Sequence, residues 1–123
     1  MHKYIQFGTR RIGLDYPPLV IAEIGINHNG SLQVAKEMAL SAIKAGAEVI
    51  KHQTHIPNAE MSEEAKYTIP GNSSDSIYDI MARCALNETD ERALKDFIET
   101  SGALFLSLPE FPYSELSVCV IMV

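Results

Sequence analysis

Leu19-Val-Ile-Ala-Glu23, Gly25-Ile-Asn-His-Asn-Gly30 and Val49-Ile-Lys51-His-Gln53-Thr54 decide the fold. The first is an apolar run that closes on a carboxylate, the second a turn, and the third an apolar run that delivers a lysine. Successive side chains of a strand point to opposite faces. Leu19, Ile21 and Glu23 therefore share one face, and Val49, Lys51 and Gln53 share another. Laid side by side and parallel, the two strands bring a carboxylate, an ammonium and an amide to one wall at one end. Proteins of the α/β class place their chemistry where parallel strands run out. Burying an unpaired charge costs several kcal/mol, so these groups either form a structural Glu23 to Lys51 ion pair inside the sheet or hold a ligand.

Helical spacing fills the gap between the two runs. Ser31 is a good N-cap, Leu32, Ala35, Ala39 and Ala42 recur at three and four with Ile43 beside them, and Gly46 stands where a left-handed residue ends the helix. Before the first strand, Tyr4 to Leu14 reads as a hairpin turning near Gly8 and Thr9, suited to capping one end of a barrel, and Tyr16-Pro17-Pro18 holds the chain extended. After the second strand, Ile56 to Ser76 is the longest irregular stretch, and a connection of that length is more often functional than idle. A short helix with Ile77, Ile80 and Met81 on one face starts at Asp75 or Ser76. Asn87, with Asp90 three residues on and Leu86 before it, caps another helix whose buried stripe is Ala93, Leu94, Phe97 and Ile98. Gly102 ends that helix, and a third strand covers Ala103 to Ser107.

Strand, helix, strand, helix, strand is the βα repeat of a parallel sheet. A closed barrel of eight such units takes roughly 250 residues, so 123 residues form either a short open α/β sheet or a piece of a barrel. The expected organisation is a hairpin over 1–16, a partial barrel over 17–109 and a divergent apolar tail over 110–123. The tail ends in Val118-Cys-Val-Ile-Met-Val123, an uncovered strand-like run that reads as truncation or a shifted frame.

A formal charge of -6 without a Lys/Arg cluster argues against a nucleic-acid surface. No segment reaches membrane-spanning length, and Met1 to Gly8 lacks the apolar core of a signal peptide, so a cytoplasmic protein with reduced Cys84 and Cys119 is expected. The Asn-x-Ser/Thr triplets at Asn72 and Asn87 are then chance matches. Gly25 to Gly30 has phosphate-loop spacing, but Ser31-Leu32 replaces the required Lys-Ser/Thr, and the dinucleotide glycine pattern is missing too. His52 faces away from Lys51 and Gln53, toward the helix layer, which leaves His28 or His55 to face a site, and two ligands do not make a zinc centre. His28 suits a turn residue bonded to backbone. Lys51 could form a Schiff base or act as a fixed positive charge, and spacing does not choose between these.

Ile21-Ala-Glu-Ile-Gly-Ile-Asn-His-Asn-Gly-Ser31, Ala45-Gly-Ala-Glu-Val-Ile-Lys-His-Gln-Thr-His55 and Glu60-Met-Ser-Glu-Glu-Ala-Lys66 together resemble the N-terminal part of bacterial N-acetylneuraminate (sialic acid) synthases. Ile69-Pro-Gly-Asn72 and Ser76 to Glu88 extend the likeness, which covers residues 5 to 107. The resemblance implies a TIM barrel followed by a small antifreeze-like domain, a homodimer, and condensation of phosphoenolpyruvate with N-acetylmannosamine using manganese or magnesium. It further implies that Glu23 contacts the sugar, that Asn72 binds it, and that Lys51, with Gln53 beside it, lies near the phosphoenolpyruvate carboxylate. C3 of phosphoenolpyruvate would attack the sugar aldehyde and water would attack C2 before phosphate leaves, with Lys51 supplying charge and orientation rather than an imine.

Two departures stand out. The family pattern Ser-Thr-Pro-Phe-Ser is here Ser107-Leu108-Pro109-Glu110-Phe111, and Leu108 offers no hydroxyl. The family's two metal-binding histidines and most phosphate contacts fall in barrel segments outside this chain, so catalysis by it alone is not expected. A non-catalytic remnant or binding fragment, or a Lys51 aldolase, are the competing expectations.

Overall fold

The computed structural model describes residues 3–109. A hairpin comes first, β1 (Ile5–Phe7) paired antiparallel with β2 (Arg10–Ile12). Gly8, the first residue of its two-residue turn, takes φ 58°, the positive value that such tight connections require. Two βα steps and a third strand follow. β3 (Ile21–Gly25), β4 (Val49–Thr54) and β5 (Leu104–Pro109) form one parallel sheet in the order β3-β4-β5, with α1 (Leu32–Lys44) and α4 (Glu88–Thr100) as the long crossover helices. The tail from residue 110, with Cys119, lies outside the described residues.

Each long helix begins and ends as its sequence dictates. The Ser31 hydroxyl accepts from the Val34 amide, and the Asn87 side chain accepts from the Asp90 amide, so orphan N–H groups are satisfied at both N-termini. Gly46 and Gly102 follow the last turns at φ 102° and 92°, conformations that cost a β-carbon-bearing residue free energy. The face that α1 buries carries Ala35 and Ala39, whose small side chains let the helix lie close on the sheet.

The core lies between sheet and helices. Ile24, Ile50 and Phe105 from the strands meet Ala35, Ala39, Leu94 and Ile98 from the helices. β4 shows the alternation most clearly: Ile50, His52 and Thr54 are buried, whereas Lys51 and Gln53 on the opposite face are half-buried. Arg10 ties the hairpin to the N-terminal rim of the sheet, donating to Glu48 Oε2 at 2.7 Å and to the Pro17 carbonyl at 2.7 Å. That guanidinium holds the Glu48 carboxyl below the usual carboxylate range.

The connection from β4 to α4 is more ordered than its composition indicates. Expected as irregular over Ile56 to Ser76, it contains α2 (Pro57–Glu60) and a 3-10 turn (Glu63–Lys66) before α3 (Ile77–Cys84), which Ser76 caps. Pro57 sits at the first helical position, where its missing N–H is no loss, so it starts a helix instead of breaking one. The first strand also shifts. It begins at Ile21 rather than Leu19 and runs to Gly25 through an irregularity in which Glu23 pairs Lys51 and Gly25 pairs His52.

Candidate functional site

β3 and β4 bring Glu23 and Lys51 into direct register, and the ammonium Nζ lies 3.2 Å from Glu23 Oε1. Gln53 Nε2 reaches the same oxygen at 3.5 Å. The three groups form one polar cluster on the face of the sheet away from the helices. Side-chain exposures of 25% for Lys51 and 50% for Glu23 leave both within reach of a ligand, and Leu108, paired with Gln53, continues the same face on β5. The strand-phase expectation for these residues therefore holds. Asn72 is not part of the cluster: it lies exposed in the turn after Pro70, and no hydrogen bond among the described residues joins its side chain to the other three.

The irregularity at the end of β3 shapes this rim. Gly25 takes φ 52°, and its backbone turns past the Gln53 amide, so the chain leaves the sheet directly behind Glu23. The following turn is held by Asn27 Nδ2 donating to the Ile24 carbonyl at 3.0 Å and by the Gly30 amide donating to His28 Nδ1 at 3.1 Å. Gly30 is required twice over: its φ is 77°, and a β-carbon there would overlap the Arg83 carbonyl oxygen at the end of α3.

Beneath the cluster, on the helix side, lies a buried polar group that the sequence reading only half located. His52 points into the helix layer as its phase predicts, 3.1 Å from His28 through the two Nε2 atoms. The partner missed is Glu91 of α4, which is 3% exposed. Its position at three before Leu94 and seven before Ile98 places it on the buried stripe, a signal overlooked because a carboxylate normally marks a solvated face. Glu91 Oε2 accepts from Thr54 Oγ1 at 2.6 Å, and Thr54 Oγ1 lies 2.7 Å from Ser107 Oγ. Burial pushes the Glu91 carboxyl up to about 7 and holds His52 down at about 3, the latter helped by the neighbouring His28 and His55. Although His52 Nδ1 is 3.8 Å from Glu91 Oε1, the imidazole is neutral, so this contact is not an ion pair. His55, expected as a possible site-facing residue, instead turns inward and meets Glu60 of α2 at 2.8 Å through Nδ1.

A cleft of about 810 Å³ lies at the opposite rim, between Arg10, Leu19, Glu48 and Leu104. These residues stand at or before the N-terminal ends of the strands, whereas sites in parallel α/β folds form at the C-terminal ends. The Glu23, Lys51 and Gln53 rim is therefore the candidate site.

The NeuB family model matches residues 38–121. The chain belongs to the NeuB family. Among NeuB relatives, the N,N'-diacetyllegionaminic acid synthase of Legionella pneumophila is 32% identical over 106 residues, covering 81% of this chain and 29% of that protein. The pseudaminic acid synthase of Campylobacter jejuni is 44% identical over 99 residues, covering 77% of this chain and 29% of its own length. In fold, the chain matches the crystal structure of an N-acetylneuraminic acid (sialic acid) synthetase from Leptospira borgpetersenii in complex with citrate, with a TM-score of 0.72 and 25% identity over 96% of this chain and 38% of that one. The fold is thus the N-terminal part of a synthase barrel, and the chain spans under a third of the curated relatives it matches.

The divalent metal that the resemblance implies finds no donor set here. Among the described residues no three His, Cys, Asp or Glu side chains gather to hold an ion, and His28 and His52 spend their Nε2 atoms on each other. No step is assigned to a metal through these residues. No helix among them is long and apolar enough to cross a membrane.

Proposed function

We propose that this chain supplies the first part of the substrate site of a synthase making a sialic-acid-type sugar, and that its rim binds phosphoenolpyruvate and an N-acylated hexosamine such as N-acetylmannosamine. The observation that carries this reading is the single polar cluster of Glu23, Lys51 and Gln53 at the C-terminal ends of adjacent parallel strands.

Each residue has a task suited to its chemistry. The Lys51 ammonium is a compact charge able to receive the phosphoenolpyruvate carboxylate, with the Gln53 amide donating beside it. Glu23, an acceptor on the same wall, takes hydrogen bonds from sugar hydroxyls, while a role for Asn72, in the long β4 to α4 connection, is supported by the family resemblance and not by the cluster. Held this way, C3 of phosphoenolpyruvate faces the sugar aldehyde, which is the orientation that carbon–carbon bond formation requires. The remaining phosphate contacts and the divalent metal belong, on this reading, to barrel segments outside this chain. The family resemblance supports a homodimer in the cytoplasm as the setting.

Calorimetric titration of the purified chain with each substrate tests the proposal. Saturable heat with phosphoenolpyruvate and with N-acetylmannosamine is expected. Binding of neither would instead favour a non-catalytic remnant.

A further inference from the structure

The helix-facing side of the sheet changes character along its length. One cross-strand row, Ala22, Ile50 and Phe105, is hydrocarbon. The next row toward the site is polar, with His52 paired to Ser107 and Thr54 just beyond. His28 from the β3 to α1 turn and Glu91 from α4 complete this polar layer, and each of its five side chains belongs to a residue at most 4% exposed. Hydrocarbon fills this face one row earlier, so packing alone does not call for polar groups here. Each costs free energy to desolvate unless its hydrogen bonds are made.

The bonds fix where the protons are. The Gly30 amide donates to His28 Nδ1, which leaves the proton of that neutral ring on Nε2. His28 Nε2–H then donates to His52 Nε2 across 3.1 Å, a contact that leaves no room for a second proton between the rings. His52 must carry its own proton on Nδ1, and that atom lies 3.8 Å from Glu91 Oε1, beyond hydrogen-bond reach, so that the two buried atoms face each other with no other hydrogen-bond partner among the described residues. A second segment starts at Glu91, whose Oε2 accepts from Thr54 Oγ1, and runs on to Ser107. Burial, which lowers the affinity of both imidazoles for a further proton, agrees with this order.

We infer that His52 and Glu91 are positioning residues: two hydrogen-bonded segments, Gly30–His28–His52 and Glu91–Thr54–Ser107, pack face to face where His52 meets Glu91 and together hold the turn behind Glu23 and the strand ends that carry Lys51 and Gln53 in a single arrangement. The inference deepens the function proposed for that rim and rests on it for its catalytic meaning. His52 and Thr54 are direct sequence neighbours of Lys51 and Gln53, on the opposite face of the same strand. Fixing one face fixes the phase of the other.

Nitrogen-15 spectra of the histidine-labelled full chain at pH 8, where the Glu91 carboxyl is ionised, test the order directly. The expected result is two neutral rings of opposite tautomer, His28 protonated at Nε2 and His52 at Nδ1. Either ring in the other tautomer, or averaging between tautomers, would overturn the inference. Variants then test the positioning. Glu91→Ala, which removes the acceptor of Thr54 and the group facing His52, should weaken phosphoenolpyruvate affinity about tenfold and Glu91→Gln should restore it, and Thr54→Val should likewise weaken it about tenfold and Thr54→Ser restore it. Equal affinity in Thr54→Val and the unaltered chain would count against a positioning role. If the unaltered chain binds no phosphoenolpyruvate, the functional reading fails, and the tautomers alone decide the proton order.

Discussion

Glu23 and Lys51 stand opposite each other in the parallel register of β3 and β4, with Nζ 3.2 Å from Oε1, on the face of the sheet that the helices do not cover. The pair is only partly buried, so its contribution to stability is at most about 1 kcal/mol. Lys51→Ala is therefore expected to shift the urea midpoint little. A loss of several kcal/mol in that unfolding curve would make the pair a structural element first.

The buried layer makes stability depend on pH from both sides. His52 titrates at about 3 in the folded chain against an ordinary 6.5, so the unfolded state takes up its proton first, and stability falls as pH drops from 6.5 toward 3. Glu91 behaves oppositely. Its carboxyl is raised from 4.5 to about 7, so the unfolded chain ionises earlier and stability falls as pH rises from 4.5 to 7. Each effect is on the order of a few kcal/mol. Thermal unfolding should show a maximum between pH 4.5 and 6.5, and Glu91→Gln should flatten the limb above it. A melting temperature that climbs steadily to pH 8 would contradict the assignment.

Gly30→Ala should destabilise the chain by about 2 kcal/mol or more, since the added carbon meets the Arg83 carbonyl oxygen at a backbone conformation that already disfavours it. Gly46→Ala is the control, with a positive φ but open space around it, and should cost about 1 kcal/mol. Chemical denaturation of the two variants separates the overlap from the conformational cost.

Leu108 is 50% exposed and sits opposite Gln53 in the register of β4 and β5. Leu108→Thr returns a hydroxyl where the resembled synthases carry one. Stability should change by no more than about 0.5 kcal/mol, and phosphoenolpyruvate should bind about threefold to tenfold more tightly. Unchanged affinity in a titration would remove this position from the substrate wall.

Much of this arrangement was legible before any coordinates, because it follows from short-range rules. Ser31, Ser76 and Asn87 announce helix starts through the side-chain oxygen each offers, and the alternation Ile50, Lys51, His52, Gln53 states which groups share a wall. What escaped depends on which partner the fold brings to a side chain. Glu91 looks like a solvated helix residue until Thr54, itself bonded to Ser107 of a third element, is seen to donate to it. His55 looks like a site residue until Glu60 in α2 claims it, and α2 itself was hidden because Pro57 reads equally as a breaker and as a first helical residue. Asn72 has no comparable geometric support, as no hydrogen bond among the described residues joins its side chain to Glu23, Lys51 or Gln53.

The central claim is that Lys51 and Glu23 serve different substrates at one rim, and parallel titrations of Lys51→Met and Glu23→Gln with phosphoenolpyruvate and N-acetylmannosamine test it most directly. Lys51→Met should lose phosphoenolpyruvate by about tenfold or more and keep the sugar, while Glu23→Gln should lose the sugar and bind phosphoenolpyruvate at least as well as before. Affinities for both ligands unchanged in both variants would contradict the account.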